Sequence, residues 1–439
     1  MPPPVPDRGR RAPRRLLARV AVDISPLRAS RELRLLTLGE LVTGLGTQAT
    51  LVALPYQVFV QTRSPLLTGL LGAVELGPIA AMSLYGGALA DRLDRRRLLL
   101  ADQLGLVVVS TALAVGALAG HPPLGLLYLL AALLAGFGAI QNVAFSAIVP
   151  NLVDPRLLQP ALAVTFGLST LTMVVGPALA GAVIAASGIG SAYLIDAISC
   201  LGMVFAVLAI SPQPPHHDGR PHPSILGSIR DGLRFARSER ALLGSFCIDL
   251  AAMTFGMPRT LFPVLSLTVY HTGAAGTGAL FAAVAAGATL AALTTGWLHR
   301  LRRLGVVVIW AVLAWGVAIA LAGVVTTLWA AMALLALAGA ADSISAVCRS
   351  TINQSVTPDA MRGRMSAAFS LVVTSGPRLG DIESGAVASL ATPRFSVLSG
   401  GIGCVVTALL VVRAFPALAR FDAERDTVQA PRAEPATAA

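Results

Sequence analysis

Residues 304–325 read LGVVVIWAVLAWGVAIALAGVV, 22 residues without one charged, amide or hydroxyl side chain. Arg302 and Arg303 precede the run, and Thr326 and Thr327 follow it. A helix rises 1.5 Å per residue, so a run of this length covers about 30 Å, the hydrocarbon thickness of a bilayer. Similar runs succeed one another on both sides. Six fit between about 36 and 210, separated near Gln61, Asp91, His121, Asn151 and Gly188. Six more fit between about 241 and 415, with breaks near His271, His299, Thr326, Pro358 and Thr392. The composition agrees: 55% of the 439 residues are hydrophobic and 13% charged, and mean hydropathy is +0.75. That leaves too little polar surface to enclose soluble cores, so the solvent for most of the chain is lipid.

The two blocks, 36–210 and 241–415, have equal length, and landmarks recur between them. Pro55 answers Pro263, Gly87 answers Gly296, the Pro-Asp turn after the fourth helix (VDPR, TPDA) recurs, and Gly176-Pro177 answers Gly376-Pro377, at offsets of 200 to 209. Such self-similarity marks a duplicated unit. The expected architecture is an all-α membrane protein with twelve transmembrane helices in two pseudo-symmetric six-helix bundles. A tail rich in Arg and Pro occupies 1–35, the bundles occupy 36–210 and 241–415, a linker covers 211–240, and a second tail covers 416–439. In the linker, Ile225, Leu226, Ile229, Leu233 and Phe235 fall largely on one helical face among Arg230, Arg234 and Arg237. This pattern suits a helix lying on an anionic cytoplasmic leaflet.

All 33 basic side chains are arginine. Without lysine there is no Walker phosphate loop, Schiff-base centre or pyridoxal phosphate site. Under the twelve-helix assignment 28 arginines fall on one side, two (Arg63, Arg394) on the other and three within helices. The positive-inside rule puts both termini and the linker in the cytoplasm. The net charge of +11 thus follows membrane topology, and no nucleic-acid partner is expected. Cys200, Cys247, Cys348 and Cys404 stand singly in apolar runs, and His216, His217 and His222 sit in a Pro-rich solvated linker. No metal or cofactor is expected.

Ionisable groups inside a membrane are costly and need a partner, a cavity or a role. The candidates are Glu40, Glu75, Asp102, Asp196, Asp249, Asp342, Asp381 and Glu383, with Arg259, Arg349 and Arg378. Asp102, Arg349 and Glu40 are expected near the cytoplasmic face and Arg259 near the outer face; Glu75, Asp342, Arg378 and Asp381 fall closest to the midplane. A desolvated carboxylate can load and unload a proton near neutral pH. It can equally serve in a helix-holding charge pair, such as Arg378 with Asp342 or Asp381, and the sequence leaves both open.

The loop after the second span reads Gly86-Gly87-Ala88-Leu89-Ala90-Asp91-Arg92-Leu93-Asp94-Arg95-Arg96-Arg97. It resembles the Gly-x-x-x-Asp-Arg-x-Gly-Arg-Arg signature of the major facilitator superfamily, matched by Gly87, Asp91, Arg92, Arg95 and Arg96, with Asp94 where the family has glycine. The resemblance implies a conformational gate in which Asp91 meets the cytoplasmic end of the eleventh span near Arg364. In the second half the pattern is lost, with Arg300 where the acid would stand. In the fifth span, Gly176, Pro177 and Gly181 are similar to the Gly-Pro-x-x-Gly-Gly motif of drug/proton antiporters, with Ala180 replacing one glycine.

A finer resemblance, to the branch of multidrug and siderophore (enterobactin) exporters, is carried by GLGTQATLVALPYQVF, AYLID, FGMPRTLFP, PDAMRGRMSA and SGPRLGDIESG. The fourth span lacks the arginine of many proton antiporters and offers Gln141 and Asn142 instead. The reading is a secondary transporter of the bacterial cell membrane, monomeric, exporting an amphipathic small molecule such as a drug or siderophore in exchange for protons, by alternating access. Gln57, Glu75, Gln141, Asp342, Arg378 and Asp381 are the expected substrate or proton-coupling residues. Gln48, Thr50, Asn353 and Gln354 either line the pathway or bond neighbouring helices. An importer or uniporter of a small metabolite would share the fold. A membrane enzyme or sensor is the remote alternative, for HExxH and GxSxG are absent.

Overall fold

The structure, a computed structural model, describes residues 23–214, 225–295, 298, 301–358, 361–422 and 425. The first 22 residues, the His216–His222 cluster, Gly296 with Arg300, and nearly all of 423–439 lie outside that set. Among the described residues the chain is helical without strands. The first half comprises α1 (Arg31–Thr62), α2 (Pro65–Arg92), α3 (Arg95–Leu118), α4 (Leu124–Ile148), α5 (Leu158–Ser187) and α6 (Ile189–Leu208). The linker helix is α7 (Ile225–Ser238). The second half comprises α8 (Arg240–Phe255), α9 (Phe262–Thr268), α10 (Gly273–Thr294), α11 (Leu304–Val324), α12 (Leu328–Val356), α13 (Arg362–Leu390) and α14 (Pro393–Ala414).

Local chemistry sets the helix starts. Ser30, Ser64, Asp94 and Thr392 each accept a backbone N–H of the first turn with a side-chain oxygen, satisfying groups that would otherwise be orphaned. Asp94, the departure from the superfamily signature, caps α3 through Arg96 N and Arg97 N, at 2.9 and 3.3 Å. Eleven helical segments among the described residues are long and apolar enough to cross a membrane. One of them, Arg240–Thr268, is broken between α8 and α9. The remaining span, eleventh in chain order, is α13, 29 residues long and made less apolar by Arg378, Asp381 and Glu383.

The pairing of helices carries the twofold pattern of the sequence. In the first half α1 packs on α5 and α6, α3 on α4 and α6, and α2 on α4. The equivalent pairings recur in the second, α8 on α13 and α14, α11 on α12 and α14, and α10 on α12. Two interfaces join the halves, α2 against α13 and α5 against α10, and the same twofold exchanges them. Both depend on glycine. Gly69 faces Gly385 and Gly181 faces Gly278 so closely that a Cβ on Gly385 would lie 2.9 Å from Gly69 Cα, and one on Gly181 3.0 Å from Gly278 Cα. Small residues let helix backbones meet where no water-driven force holds them together. Both contacts lie at the end where α2 and α10 begin, and they close that end of the molecule.

Candidate functional site

Between the halves, beginning just inside the closed end, lies a cavity of about 650 Å³, a size suited to one small-molecule ligand. Leu54, Ile79, Leu134 and Phe281 give it apolar walls. It runs from Gly72 and Thr260 toward Ser83, Ser146 and Ser370 at the ends of α2 and α4 and the start of α13. Pro55, Pro78, Pro177 and Pro377 lie inside four of the helices that form the two halves' facing surfaces. Each proline removes a backbone hydrogen bond and permits a bend there.

Charged groups gather on one wall. Arg378 Nε of α13 lies 3.0 Å from Glu75 Oε2 of α2, an ion pair that crosses from one half to the other with both side chains about one-fifth exposed. The partner of Arg378 is therefore Glu75 rather than Asp342 or Asp381. One turn along α13, buried Asp381 receives the backbone N–H of Thr260 at 3.4 Å. Thr260 and Arg259 belong to the turn between α8 and α9, and both line the cavity. The seventh span unwinds after Phe255, and this turns Arg259 into the cavity wall. Gly256 at this break offers its carbonyl to Trp315 Nε1 at 2.9 Å. The signal was present in the sequence as Gly256-Met257-Pro258, a helix-stopping string inside an apolar run.

The opposite wall is polar without arginine. Gln141 lines the cavity and donates to Glu40 at 3.2 Å, joining α4 to α1. Asp196, the acid of the AYLID string, accepts from Thr50 at 2.8 Å and Ser110 at 2.7 Å, which ties α6 to α1 and α3. Of the other expected residues, Gln57 is buried inside the first half and accepts the Tyr193 hydroxyl at 2.7 Å. Asp342 stands off the cavity on α12, 3.7 Å from Arg349. Arg349, two turns from the end of α12, does not snorkel: it is 2% exposed and ion-paired with fully buried Asp249 of α8. Gly176 is pressed against Gln48 of α1, Gly181 against α10, and the carbonyl of Pro177 against Gly278.

At the open end, the signature arginines bind helix termini. Arg95 donates to the Ala147 carbonyl at 3.0 Å, and Arg96 donates to those of Val207 and Leu208 at 2.9 and 2.7 Å, the carbonyls that carry the negative end of a helix. Arg92 is exposed. Gly87 and Asp91 occupy the last turns of α2, and the Asp91 side chain lies outside the described residues. Arg364 bonds Asp231 of α7 at 3.2 Å, and Leu233, Phe235 and Ala236 of α7 pack with Leu242, Phe246, Met365 and Phe369. Arg230, Arg234 and Arg237 remain exposed.

Two six-helix halves around a central cavity, with the signature loop after the second span, define a multi-pass membrane transporter of the major facilitator superfamily, not an enzyme. Within it the chain belongs to the transmembrane secretion effector family, whose profile matches residues 21–438. It is 29% identical to the enterobactin exporter EntS of Citrobacter koseri over 371 residues, covering 84% of this chain and 88% of that one. Identity to EntS of Shigella boydii serotype 4 is also 29%, over 375 residues with the same coverage. Solved structures share the fold. A POT family transporter in complex with 5-aminolevulinic acid superposes with a TM-score of 0.69 at 12% identity, covering 89% of this chain and 97% of that one. A bacterial homologue of the human lysosomal transporter Spinster, inward-facing and unoccupied, gives 0.69 at 15% identity, covering 92% and 99%.

Proposed function

We propose that this transporter exports an amphipathic small molecule, a drug or siderophore, from a bacterial cytoplasm in exchange for protons. The observation that carries the reading is the Arg378–Glu75 pair: a charge contact between the two halves, in the wall of a largely apolar cavity closed at one end. Such a pair responds to both protonation and ligand, and breaking it frees the halves to move. The apolar walls suit an amphipathic ligand, and the enterobactin exporters support siderophores as a class.

In this reading the two bundles over 36–210 and 241–415 rock about the cavity, joined by the linker 211–240. Both termini and the arginine-rich loops face the cytoplasm, so the cavity opens inward. Gly87, Asp91, Arg92, Arg95, Arg96 and Arg364 form the cytoplasmic gate, with α7 against an anionic leaflet. Gly176, Pro177 and Gly181 form the interface on which the halves turn. Glu75, Arg378, Asp381 and Gln141 face substrate or proton directly, while Gln57 and Asp342 act from behind the wall. The protein works as a monomer. The test records internal pH in proteoliposomes of the purified protein while lipophilic cations and catecholate siderophores are added outside. Substrate-specific proton flux, lost in Glu75→Gln, is expected. Labelled substrate moving down its own gradient without proton movement would mean a uniporter.

A further inference from the structure

The turn that breaks the seventh span presents two side-chain donors with nothing to bind. Five charged residues line the cavity, and four of them have a contact: Glu75 with Arg378, Asp196 with Thr50 and Ser110, and Asp381 with the backbone N–H of Thr260. The fifth is Arg259, whose guanidinium is in no ion pair or hydrogen bond among the described residues. Asp342 and Asp381 lie near enough to balance its charge through space, yet neither accepts any of its N–H groups. Beside it, Thr260 is 6% exposed, and its Oγ1 has no hydrogen-bond partner although the residue lines the same cavity.

The backbone sets these two side chains in place. Gly256-Met257-Pro258 stops α8, and Arg259–Leu261 forms a short 3-10 turn before α9. The turn is tied on both sides, by Trp315 donating to the Gly256 carbonyl at 2.9 Å and by Thr260 N donating to Asp381 at 3.4 Å. Trp315 is 1% exposed and Asp381 4%, so both ties lie inside the protein. Irregular backbone at membrane depth is tolerated where it lines a cavity, and broken helices of this kind meet the ligand in many transporters.

A guanidinium is a flat fork of donors that suits two oxygens side by side. Water can serve the fork while the cavity is open. A ligand that fills the cavity displaces that water and must supply acceptors itself, or the donors stay unpaired in a dried site. The wall also selects the charge of the ligand group. Glu75, Asp196 and Asp381 already outnumber Arg259 and Arg378, so a carboxylate would add negative charge where there is an excess. A cationic group has no lone pair to accept with. An uncharged pair of oxygens satisfies the fork without either cost.

We propose that Arg259 and Thr260 form the subsite for the polar head of the substrate, an uncharged carbonyl with a hydroxyl beside it, as in an ortho-hydroxybenzamide or a hydroxamic acid. Arg259 donates to both oxygens and the Thr260 hydroxyl to the carbonyl. The ligand's hydroxyl donates to Asp381, whose carboxylate accepts only the Thr260 N–H among the described residues. The rest of the ligand lies against Leu54, Leu71 and Phe281. The subsite rests on the export reading above and specifies the group its substrate carries.

The test measures binding to the purified full-length protein by calorimetry at about pH 6, where a phenol keeps its proton. Three probes share a butyl chain: N-butylsalicylamide with the oxygen pair, N-butylbenzamide with the carbonyl alone, and the para-butylbenzoate anion. N-butylsalicylamide is expected to bind the wild type on the order of tenfold more tightly than either of the others. Arg259→Lys keeps the charge without the fork and Arg259→Gln removes the charge; both should abolish the preference. Thr260→Val should lower it severalfold, and Thr260→Ser should restore it. The readout is a ratio between probes, measurable only in a folded protein, and Thr260→Val carries the test if the Arg259 variants do not fold. Equal binding of the three probes, tightest binding of the anion, or a preference untouched by Arg259→Lys and Thr260→Val would overturn the proposal. Siderophore flux in proteoliposomes that is indifferent to Arg259→Lys would sink the subsite and leave export standing. The expected binding preference in a protein that moves no tested compound would sink the export reading and leave the subsite.

Discussion

Gly181 of α5 and Gly278 of α10 pack backbone against backbone, and a Cβ on Gly181 would lie 2.6 Å from the Ala274 carbonyl oxygen as well as 3.0 Å from Gly278 Cα. No rotamer change relieves a clash with backbone, so a larger side chain must part the helices. Gly181→Leu is expected to hold the closed end ajar. With a single cysteine placed at Leu71 in a cysteine-free background, labelling by a membrane-impermeant maleimide from that end should quicken on the order of tenfold, the effect of about 1.4 kcal/mol on the open–closed equilibrium. Gly181→Ala should give an intermediate rate. An unchanged rate in both would mean that this contact does not control closure.

The Glu75–Arg378 pair joins the halves and is mostly withdrawn from water. Removing one member strands the other, which typically costs 3–5 kcal/mol for a buried pair, with the lower end suited to a cavity wall that water reaches. Glu75→Gln and Arg378→Gln should each lower substrate-driven proton flux by more than about tenfold. The double variant should melt closer to wild type than Arg378→Gln does, because no lone charge remains, yet it should still fail to couple. Restored coupling in the double variant would show that the pair only holds helices together.

The sequence made the fold legible because spans, their breaks and the sided arginines each follow from one strong cost, that of a polar or charged group in hydrocarbon. Landmarks such as Pro55 and Pro263 carried the repeat as well. The site was harder. Glu75, Gln141, Arg378 and Asp381 could be named as polar groups deep in spans, and they do reach one cavity. Gln57 could not be distinguished from them, although its side chain points to Tyr193. Which face of a helix meets a cavity depends on packing against helices distant in sequence. That Arg259 lines the cavity was hidden for another reason. Counting residues along a continuous helix puts it at a span's end, whereas the turn Gly256–Leu261 breaks the helix and brings the side chain to the cavity wall.

Arg349 and Asp249, 2% and 0% exposed, form the deepest ion pair among the described residues. It lies in the second half, away from the interface with the first. Arg349→Met should leave Asp249 uncompensated and destabilise the protein by about 3–5 kcal/mol, read as a lowered melting temperature in detergent. Arg349→Met with Asp249→Leu should recover most of that loss, since well-packed apolar side chains replace buried pairs at little cost. Failure of the double variant to recover would give this pair a role in specifying the fold that its energy alone does not explain.

Asp231 and Arg364 also form an ion pair, at 3.2 Å, but each side chain is more than a third exposed, at 34% and 38%. Water and salt screen such a pair, so Asp231→Asn should change stability by less than about 1 kcal/mol. Its effect on transport should be larger than its effect on melting. Arg364 sits in the first turn of α13, and the same guanidinium that the superfamily signature assigns to Asp91 is held here by the linker helix. If the two acids compete for it, Asp231→Asn releases Arg364 to Asp91 and favours closure of the open end. A cysteine at Ser370, in the cavity and near that end, should then react more slowly with a maleimide supplied from that side. Adding Asp91→Asn should restore the rate. A rate insensitive to Asp231→Asn, or one that stays slow in the double variant, would separate the linker helix from the gate.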